Sequence, residues 1–398
     1  MSQQWNISIL LLSCSISLQA QKNPVALNAT GRDIQSVLAK QIIQTANHSL
    51  QQMPITVTSF YAERSAGNQH DFFSEGDYWW PDSSNPQGPY IQKDGQTNPN
   101  NFVQHRLAMI QFSQLMGNLV SAFLISGDSK YAKAGIKHLR AWFVDTATSM
   151  HPSLLYAQAI KGKVTGRGVG IIDMIQMMEV AQSVRVLEKA GLVPAQDLSK
   201  IKQWFSDYLF WVTNHSYGKD ERDAKNNHAT CWVMQVLSFA KLTKNDSLIK
   251  DCTNRFQQIL LPNQLAVDGS FPLELKRTKP YGYSLFNLDA MTMVAHLLKK
   301  EKPSMFKYQL VNGTTMFNAI QFMVPYVKDK SSWPYLKDVM YWDQWPIAQP
   351  FLIFGYHEFK NPTWLALWKN LEHFPNNQEV IRNLPIRNPL LWLTELDE

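Results

Sequence analysis

The sequence predicts an all-α protein, an incomplete (α/α) toroid or barrel of helical hairpins that carries a long aromatic lid loop. Three observations support this. Apolar residues recur at helical spacing along most of the chain, strand-like alternation is scarce, and most connections between the expected helices are short. No repeat consensus is present, which favours a closed toroid over an open superhelix. No Pro/Gly/Ser-rich linker divides the chain, so we expect residues 21–398 to form one domain.

The expected helices follow one another along the chain, each marked by apolar residues three or four positions apart. We expect them at residues 32–53, 102–125, 131–143, 171–189, 196–212, 230–242, 247–261, 284–298, 305–324, 346–359 and 363–371. Residues 55–60 are the best candidate for a short strand.

Composition and charge narrow the class of partner. The chain has 398 residues, with 38 Lys and Arg against 32 Asp and Glu, a net charge of +6. This modest excess favours an acidic partner. No zinc-knuckle spacing, RNA-binding motif or dense basic run is present, so we do not expect nucleic-acid binding. Aromatic residues are plentiful, with 13 Trp, 14 Tyr and 20 Phe; we expect most of them in the core, but Trp in a cleft is suited to stacking on sugar rings.

The N-terminus resembles an export signal. Residues 7–12 are apolar, small residues follow, and residues 18–20 form a cleavage site, so we expect a signal peptide at 1–20 and a secreted or periplasmic protein. The residues around Cys14 resemble a lipobox, which leaves a lipid anchor there as an alternative. We expect no later stretch to span a membrane. Cys231 and Cys252 are too few for a disulfide scaffold, although one bridge between them is conceivable.

Two loops break the helical pattern. Residues 71–101, the lid loop, are rich in Gly, Pro and Asn and carry Tyr78, Trp79, Trp80 and Lys93. Loops of this length in a compact domain are often lids or binding loops; the alternative is a structural plug. The second loop, residues 161–170, has four glycines and exposes Lys161, Lys163 and Arg167, which suit an anionic group.

Two further segments carry chemistry. At Asn226, Asn227 and His228 a polar loop gives way to an apolar run, which predicts a helix start where free N–H groups favour anions. The alternative is that an Asn caps the helix and His228 only packs.

Some fifty residues later, Arg277 precedes Tyr281 and Tyr283, and cations near a Tyr favour its phenolate and lower its pKa. Here the alternative is that Arg277 pairs with Glu274 or Glu221 and Tyr283 only packs.

Together these segments resemble the alginate-lyase-like superfamily of polysaccharide lyases, over roughly residues 70–300. The Asn-Asn-His helix start and the Arg…Tyr segment are those of family five, and the aromatic loop is closer to family thirty-eight. By this resemblance Asn227, His228, Arg277 and Tyr283 match the catalytic positions. The Arg-to-Tyr spacing is one residue shorter than family five has, which leaves Tyr281 as the reserve for Tyr283.

The resemblance implies β-elimination on a 1,4-linked polyuronate, either an alginate-type polymer or glucuronan. The substrate carboxylate must be neutralised before the C5 proton is removed, a task suited to Asn227, His228 and Arg277. Tyr283 then serves as base and acid, with His228 as the alternative base, and neither a metal nor another cofactor is required. The expected substrate-binding residues are Tyr78, Trp79, Trp80, Lys93, Arg167, Asn226 and Tyr281.

Two other functions stay open from the sequence. A glycoside hydrolase on a helical toroid needs two opposed carboxylates, and four are available without a pair being singled out: Asp77, Asp82, Glu274 and Asp289. A non-catalytic glycan-binding surface lipoprotein is the other alternative. We expect a monomer whose partner is an acidic polysaccharide.

Overall fold

The computed structural model describes residues 25–300, 304–384 and 386–397. The expected signal peptide at 1–20, with the lipid anchor proposed at Cys14, lies outside these residues.

The described chain is mostly helical, as predicted. Its α-helices are α1 (Ala29–Ser49), α2 (Gln104–Ser126), α3 (Ser129–Phe143), α4 (Met177–Lys189), α5 (Ala195–Asn214), α6 (Ser216–Arg222), α7 (Asn227–Thr243), α8 (Asp246–Arg255), α9 (Leu261–Gln264), α10 (Pro272–Leu275), α11 (Pro280–Leu297), α12 (Met316–Lys328), α13 (Pro350–Phe359), α14 (Pro362–Lys369) and α15 (Gln378–Arg382).

Shorter elements connect these helices. A π-helical turn, Phe256–Leu260, joins α8 to α9, and a 3-10 helix, Gly168–Gln176, leads into α4. Four strands form two small sheets: β1 (Phe73–Glu75), β2 (Trp79–Trp80), β3 (Ile91–Gln92) and β4 (Tyr156–Ala159). β1 pairs in parallel with β4, and β2 pairs with β3 as an antiparallel hairpin inside the lid loop.

The helix boundaries follow capping residues more closely than apolar spacing. The helix expected at 305–324 begins only at Met316, because the Thr315 and Asn318 side chains each bond the other residue's backbone N–H in a capping box. Upstream of it, Gly313 has a φ of +85°, a left-handed conformation that glycine adopts without strain.

The strand expected at residues 55–60 is absent. Val57–Ser59 forms a 3-10 turn instead, in which Thr56 Oγ1 accepts a hydrogen bond from the Thr58 N–H and Ser59 Oγ accepts one from the Thr56 N–H. Hydroxyl side chains that bond their own backbone compete with strand pairing, so the prediction was wrong for a local reason.

Contacts between helices close into a ring. α1 packs on α2, α2 on α4, α4 on α7, α7 on α11, α11 on α13, and α13 returns to α1. α3, α5, α8, α12 and α14 pack against members of this ring. Such cyclic order is what a toroid of helical hairpins predicts. One contiguous core of buried apolar side chains runs from Val25 to Leu393.

Two expectations about the core need correction. α2 is long and apolar enough to cross a membrane by composition, contrary to the prediction that no stretch after the signal is, but most of it is buried inside the protein. α2 is therefore a core helix of the described chain. Cys231 and Cys252 are both buried free thiols, so the conceivable bridge between them is not formed.

Candidate active site

The segments singled out in the sequence meet at one cavity of about 110 Å³. The lid loop, the turn after β4, the start of α7, the segment that leads into α11 and the end of α15 form its walls. The predicted residues that line it are Tyr78, Trp79, Arg167, Asn227, His228, Arg277 and Tyr283. Residues from the beginning, middle and end of the described chain thus share one polar pocket.

Asn227 is held by a carboxylate from the segment that precedes α11. Glu274 accepts the Asn227 backbone N–H and one side-chain N–H, each at 2.8 Å. Asn226 occupies the N-cap position of α7, but its side chain makes no capping bond, because Glu274 satisfies the free N–H at the start of the helix. One amide hydrogen of Asn227 remains for a ligand.

His228 is fixed by a second buried carboxylate. Its Nδ1 lies 2.7 Å from Oε1 of Glu221, on α6, and its side chain is 20% exposed while that of Glu221 is 1% exposed. The other ring nitrogen, Nε2, is therefore the one available to a ligand. His228 therefore does more than pack against its neighbours.

Burial dominates the acid–base properties of both carboxylates. It raises the pKa of Glu221 despite the neighbouring His228, and it raises the pKa of Glu274 despite the two hydrogen bonds from Asn227. Both groups therefore hold protons more strongly than exposed glutamates do.

Arg277 pairs with the lid loop and with neither Glu274 nor Glu221. A terminal nitrogen lies 2.9 Å from Asp94 Oδ1, and Nε lies 3.4 Å from Asp94 Oδ2, which also accepts the Thr278 hydroxyl at 2.9 Å. Burial lowers the pKa of Arg277, but the hydrogen bond and charge of Asp94, together with Tyr283 and Glu274, raise that pKa overall. Asp94 therefore ties the lid loop to the cation that the resemblance assigns to catalysis.

Tyr283 points its hydroxyl into the cavity beside another phenol. Its Oη lies 2.9 Å from Tyr78 Oη and 3.4 Å from a terminal nitrogen of Arg277, whose guanidinium carbon is 4.5 Å from the ring centre. The expected lowering of its pKa does not occur. Burial raises the pKa of Tyr283 well above its ordinary value, and the charge of Arg277 offsets this only in part.

A buried ion network lies beneath the phenols. Lys279 Nζ lies between 5.2 and 5.3 Å from the ring centres of Tyr78, Tyr283 and Tyr341, and it pairs with Glu379 at 2.9 Å.

The network continues from Glu379 to Arg382 at 2.9 Å, from Arg382 to Asp77 at 3.1 Å, and from Asp77 to Arg106. The network joins α2 and α15 to the base of the lid loop.

The two tryptophans of β2 face opposite ways, as successive residues of a strand do. Trp79 lines the cavity together with Gln92, its partner across the hairpin. Trp80 is outside the cavity, with Nε1 bonded to the Gln96 carbonyl and Lys93 Nζ 5.0 Å from its ring centre. Of these predicted binding residues, the structure places Trp79 at the cavity and places Trp80 and Lys93 outside it.

Tyr281 and Asn226 also fall outside the cavity. Tyr281 is fully buried, its hydroxyl donates to the Tyr326 carbonyl at 3.0 Å, and its ring packs on Trp333 and Trp342. It therefore cannot replace Tyr283 without rearrangement. Positions 281 and 283 of α11 are about 200° apart around the helix axis, so the two tyrosines lie on opposite sides of the helix and only Tyr283 faces the cavity.

The turn after β4 delivers Arg167. Its side chain donates from Nε to the Gln158 carbonyl at 3.0 Å and from Nη2 to Gln158 Oε1 at 2.9 Å. Lys161 and Lys163 line a separate cavity of about 690 Å³ on the other side of this turn. Lys163 Nζ lies 5.1 Å from the ring centre of Trp79, so the two cavities adjoin at that residue.

The cavity is also lined by four polar residues that no motif in the sequence indicated: Asp94, Gln92, Gln158 and Arg382. The two carboxylates that line it, Asp77 and Asp94, are both paired with arginines. A hydrolase needs two opposed carboxyl groups free to act on the substrate, so the geometry gives that alternative no support.

A sequence model described as alginate lyase matches residues 56–333, which is more than half of the chain. The chain belongs to the alginate lyase family. Membership supports polysaccharide lyase activity, the coarse function that the sequence argument reached. Comparison with curated protein sequences gives no match.

Solved structures agree with this assignment. An alginate lyase from Bacteroides ovatus is similar with a TM-score of 0.77 and 28% sequence identity, covering 92% of this chain and 98% of that one. Alginate lyase A1-III from Sphingomonas species A1 has a TM-score of 0.51 at 14% identity, with 86% and 92% covered. An A1-III variant complexed with a tetrasaccharide has a TM-score of 0.52 at 13% identity, with the same coverage. The A1-III comparisons support the fold alone.

Proposed function

We propose that this polysaccharide lyase cleaves a 1,4-linked polyuronate by β-elimination, leaving a 4,5-unsaturated uronate at the new non-reducing end. The observation that carries the proposal is the convergence of Asn227, His228, Arg277 and Tyr283 on one cavity. Three of these side chains offer hydrogen-bond donors or positive charge to a carboxylate, and the fourth offers a proton-transfer group.

Neutralisation of the substrate carboxylate is the first requirement. Removing the C5 proton builds negative charge on that carboxylate, so donors aimed at it stabilise the transition state. When the Glu221–His228 pair holds two protons it is neutral overall and presents Nε2–H to the pocket. With one proton it presents a lone pair instead and becomes a base. Arg277 and the remaining N–H of Asn227 complete the donor set.

Tyr283 then moves the proton. As a phenolate it takes the proton from C5, a double bond forms between C4 and C5, and the C4–O bond breaks. The phenol returns its proton to the departing oxygen, so every atom and charge is accounted for. Because its pKa is raised, the phenolate is scarce at neutral pH, and the rate should increase with pH until that pKa is reached.

Stereochemistry selects the substrates. In mannuronate and glucuronate the C5 proton and the C4 oxygen lie on one face of the ring, where a single Tyr reaches both. In guluronate they lie on opposite faces, and His228 would then be the base. We therefore favour polymannuronate or glucuronan. Around the reacting sugar, Trp79 offers a stacking face and Arg167 a positive charge for a neighbouring carboxylate.

The test is ultraviolet absorbance of the unsaturated product. The purified protein is incubated with polymannuronate, polyguluronate, glucuronan and a neutral glucan, with Tyr283→Phe as the matched variant. We expect absorbance to increase on polymannuronate or glucuronan and to be lost in the variant. Near-normal turnover by Tyr283→Phe would refute the mechanism, and new reducing ends without absorbance would indicate hydrolysis.

A further inference from the structure

One residue of the cavity has a strained backbone. Four described residues other than glycine have positive φ angles: Gln158 (49°), Lys244 (58°), Tyr341 (64°) and Lys360 (55°). Lys244 and Lys360 directly follow α7 and α13, where a left-handed residue ordinarily closes a helix. Gln158 lies inside β4, at an irregularity in its pairing with β1: Phe73 opposes Tyr156 and Glu75 opposes Ala159, so β4 carries one extra residue there. Strain of this kind in a buried non-glycine residue often accompanies a functional site.

The surroundings hold Gln158 in this conformation. Its backbone N–H donates to Ser74 Oγ at 3.0 Å, and the Ser74 hydroxyl donates to Asp173 at 2.9 Å. Its two oxygen atoms, the backbone carbonyl and Oε1, both accept hydrogen bonds from Arg167. Gln158 is only 7% exposed, yet it lines the cavity.

This arrangement determines which end of the amide faces a ligand. A guanidinium only donates hydrogen bonds, so the amide oxygen of Gln158 must face Arg167. The amide nitrogen Nε2 has no hydrogen-bond partner among the described residues. It is therefore an unused donor in a position fixed at both the backbone and the side chain.

The positive charge of Arg167 has no carboxylate partner in the part of the chain that the structure describes. Arg167 is nevertheless partly buried. Burial lowers its pKa, and the more distant charges of Asp77, Asp173 and Glu221 do not offset this. A partly buried cation with free donor capacity is stabilised when an anion binds.

We propose that Gln158 and Arg167 form one receptor for a carboxylate of the uronate chain. Arg167 supplies the charge, Gln158 Nε2 supplies a second hydrogen bond, and the strained backbone of Gln158 places both. A neutral sugar carries no charge that could pair with Arg167, so the receptor selects uronates. Gln158 holds Arg167 in place and is therefore a specificity-determining residue. The inference rests on the proposed function, since it assumes a uronate substrate.

The decisive variant is Gln158→Glu. It keeps the shape of the side chain and an oxygen facing Arg167, but it replaces the N–H donor with a negative oxygen that neutralises Arg167. We expect KM for the cleaved polyuronate to increase by roughly tenfold or more, as for loss of a hydrogen bond to a charged group, with little change in kcat. We also expect KM to depend less on salt concentration, because one cation no longer meets the substrate.

Gln158→Gly tests the backbone argument, with Lys244→Gly as its control. Glycine adopts a positive φ without strain and alanine does not, so we expect Gln158→Gly to unfold at a higher denaturant concentration than Gln158→Ala, which loses the same side-chain bond to Arg167, and Lys244→Gly to unfold no earlier than the wild type. Of the two glycine variants, only Gln158→Gly should increase KM. A Gln158→Gly protein that unfolds at a lower denaturant concentration than Gln158→Ala would overturn the strain argument.

The outcomes separate this inference from the proposed function. A wild-type protein that forms unsaturated product, together with Gln158→Glu and Gln158→Gly variants of unchanged KM, would overturn the receptor and leave the lyase function intact. A wild-type protein that forms no unsaturated product on any uronate polymer would refute the proposed function itself. Titration of an oligouronate into Tyr283→Phe and Tyr283→Phe/Gln158→Glu gives the same comparison without turnover, with roughly tenfold weaker binding expected in the second protein.

Discussion

Replacing Asp77 with Asn should destabilise the protein by an amount set by its two arginine partners. Asp77 is buried at the base of the lid loop, 2.5 Å from Arg106 and 3.1 Å from Arg382. Burial alone would raise its pKa, but the two guanidinium groups lower it from 3.8 to about 2. That difference corresponds to roughly 2.5 kcal/mol of stability at neutral pH. Asp77→Asn removes it and leaves part of the positive charge uncompensated.

The pH dependence follows from the direction of this shift. A carboxylate with a lowered folded-state pKa stabilises the protein above its unfolded value of 3.8 and ceases to do so as the pH falls towards about 2. The free energy of unfolding, measured with urea, should differ between wild type and variant at neutral pH, and this difference should shrink below pH 3.8.

The matched control is Asp82→Asn. Asp82 lies in the same loop but bonds only Ser84 and the backbone nearby, so its removal should leave the urea midpoint almost unchanged. A destabilisation by Asp77→Asn no larger than the roughly 1 kcal/mol of an exposed ion pair, or one independent of pH, would refute the reasoning.

Three further predictions concern catalysis. Because the pKa of Tyr283 is raised, kcat/KM should increase about tenfold per pH unit from neutral into alkaline solution, whereas a rate independent of pH over that range would contradict a Tyr283 phenolate as the base. Glu221→Gln should lower kcat/KM by roughly 10- to 100-fold, because Glu221 orients His228. It should not lower the melting temperature, since burial already disfavours the Glu221 anion. Unchanged kinetics would contradict the orienting role of Glu221. Trp79→Ala should increase KM while Trp80→Ala should not, and equal effects would contradict their opposite orientation in β2.

The helices were predictable because burying an apolar face requires residues three or four positions apart, a signal that a local stretch of sequence contains. Their ends were less predictable. The start of α12 depends on the Thr315 capping box, and a short stretch of apolar residues before it, around Met305, gave the same periodic signal without forming the helix.

The site was predictable where its residues stand together in sequence. Asn227 and His228 open one helix, and Tyr283 lies in the first turn of another. The hydrogen-bond partners of the site residues were not predictable. Asp94, for example, is 183 residues from Arg277, and no local sequence pattern connects the two. The prediction that the pKa of Tyr283 is lowered was wrong for a related reason. The cations near Tyr283 are visible in the sequence, whereas the burial that outweighs them arises only on folding.

Cleavage of a polyuronate by elimination at the cavity around Tyr283 leaves a signature in the mass of the products. The most direct measurement is mass spectrometry of oligosaccharides released from polymannuronate or glucuronan by the wild type and by Tyr283→Phe. We predict that the wild type releases products lighter by one water molecule than the corresponding hydrolysis products, and that the variant releases none. Products of full hydrolytic mass, or unsaturated products formed equally well by Tyr283→Phe, would contradict the account.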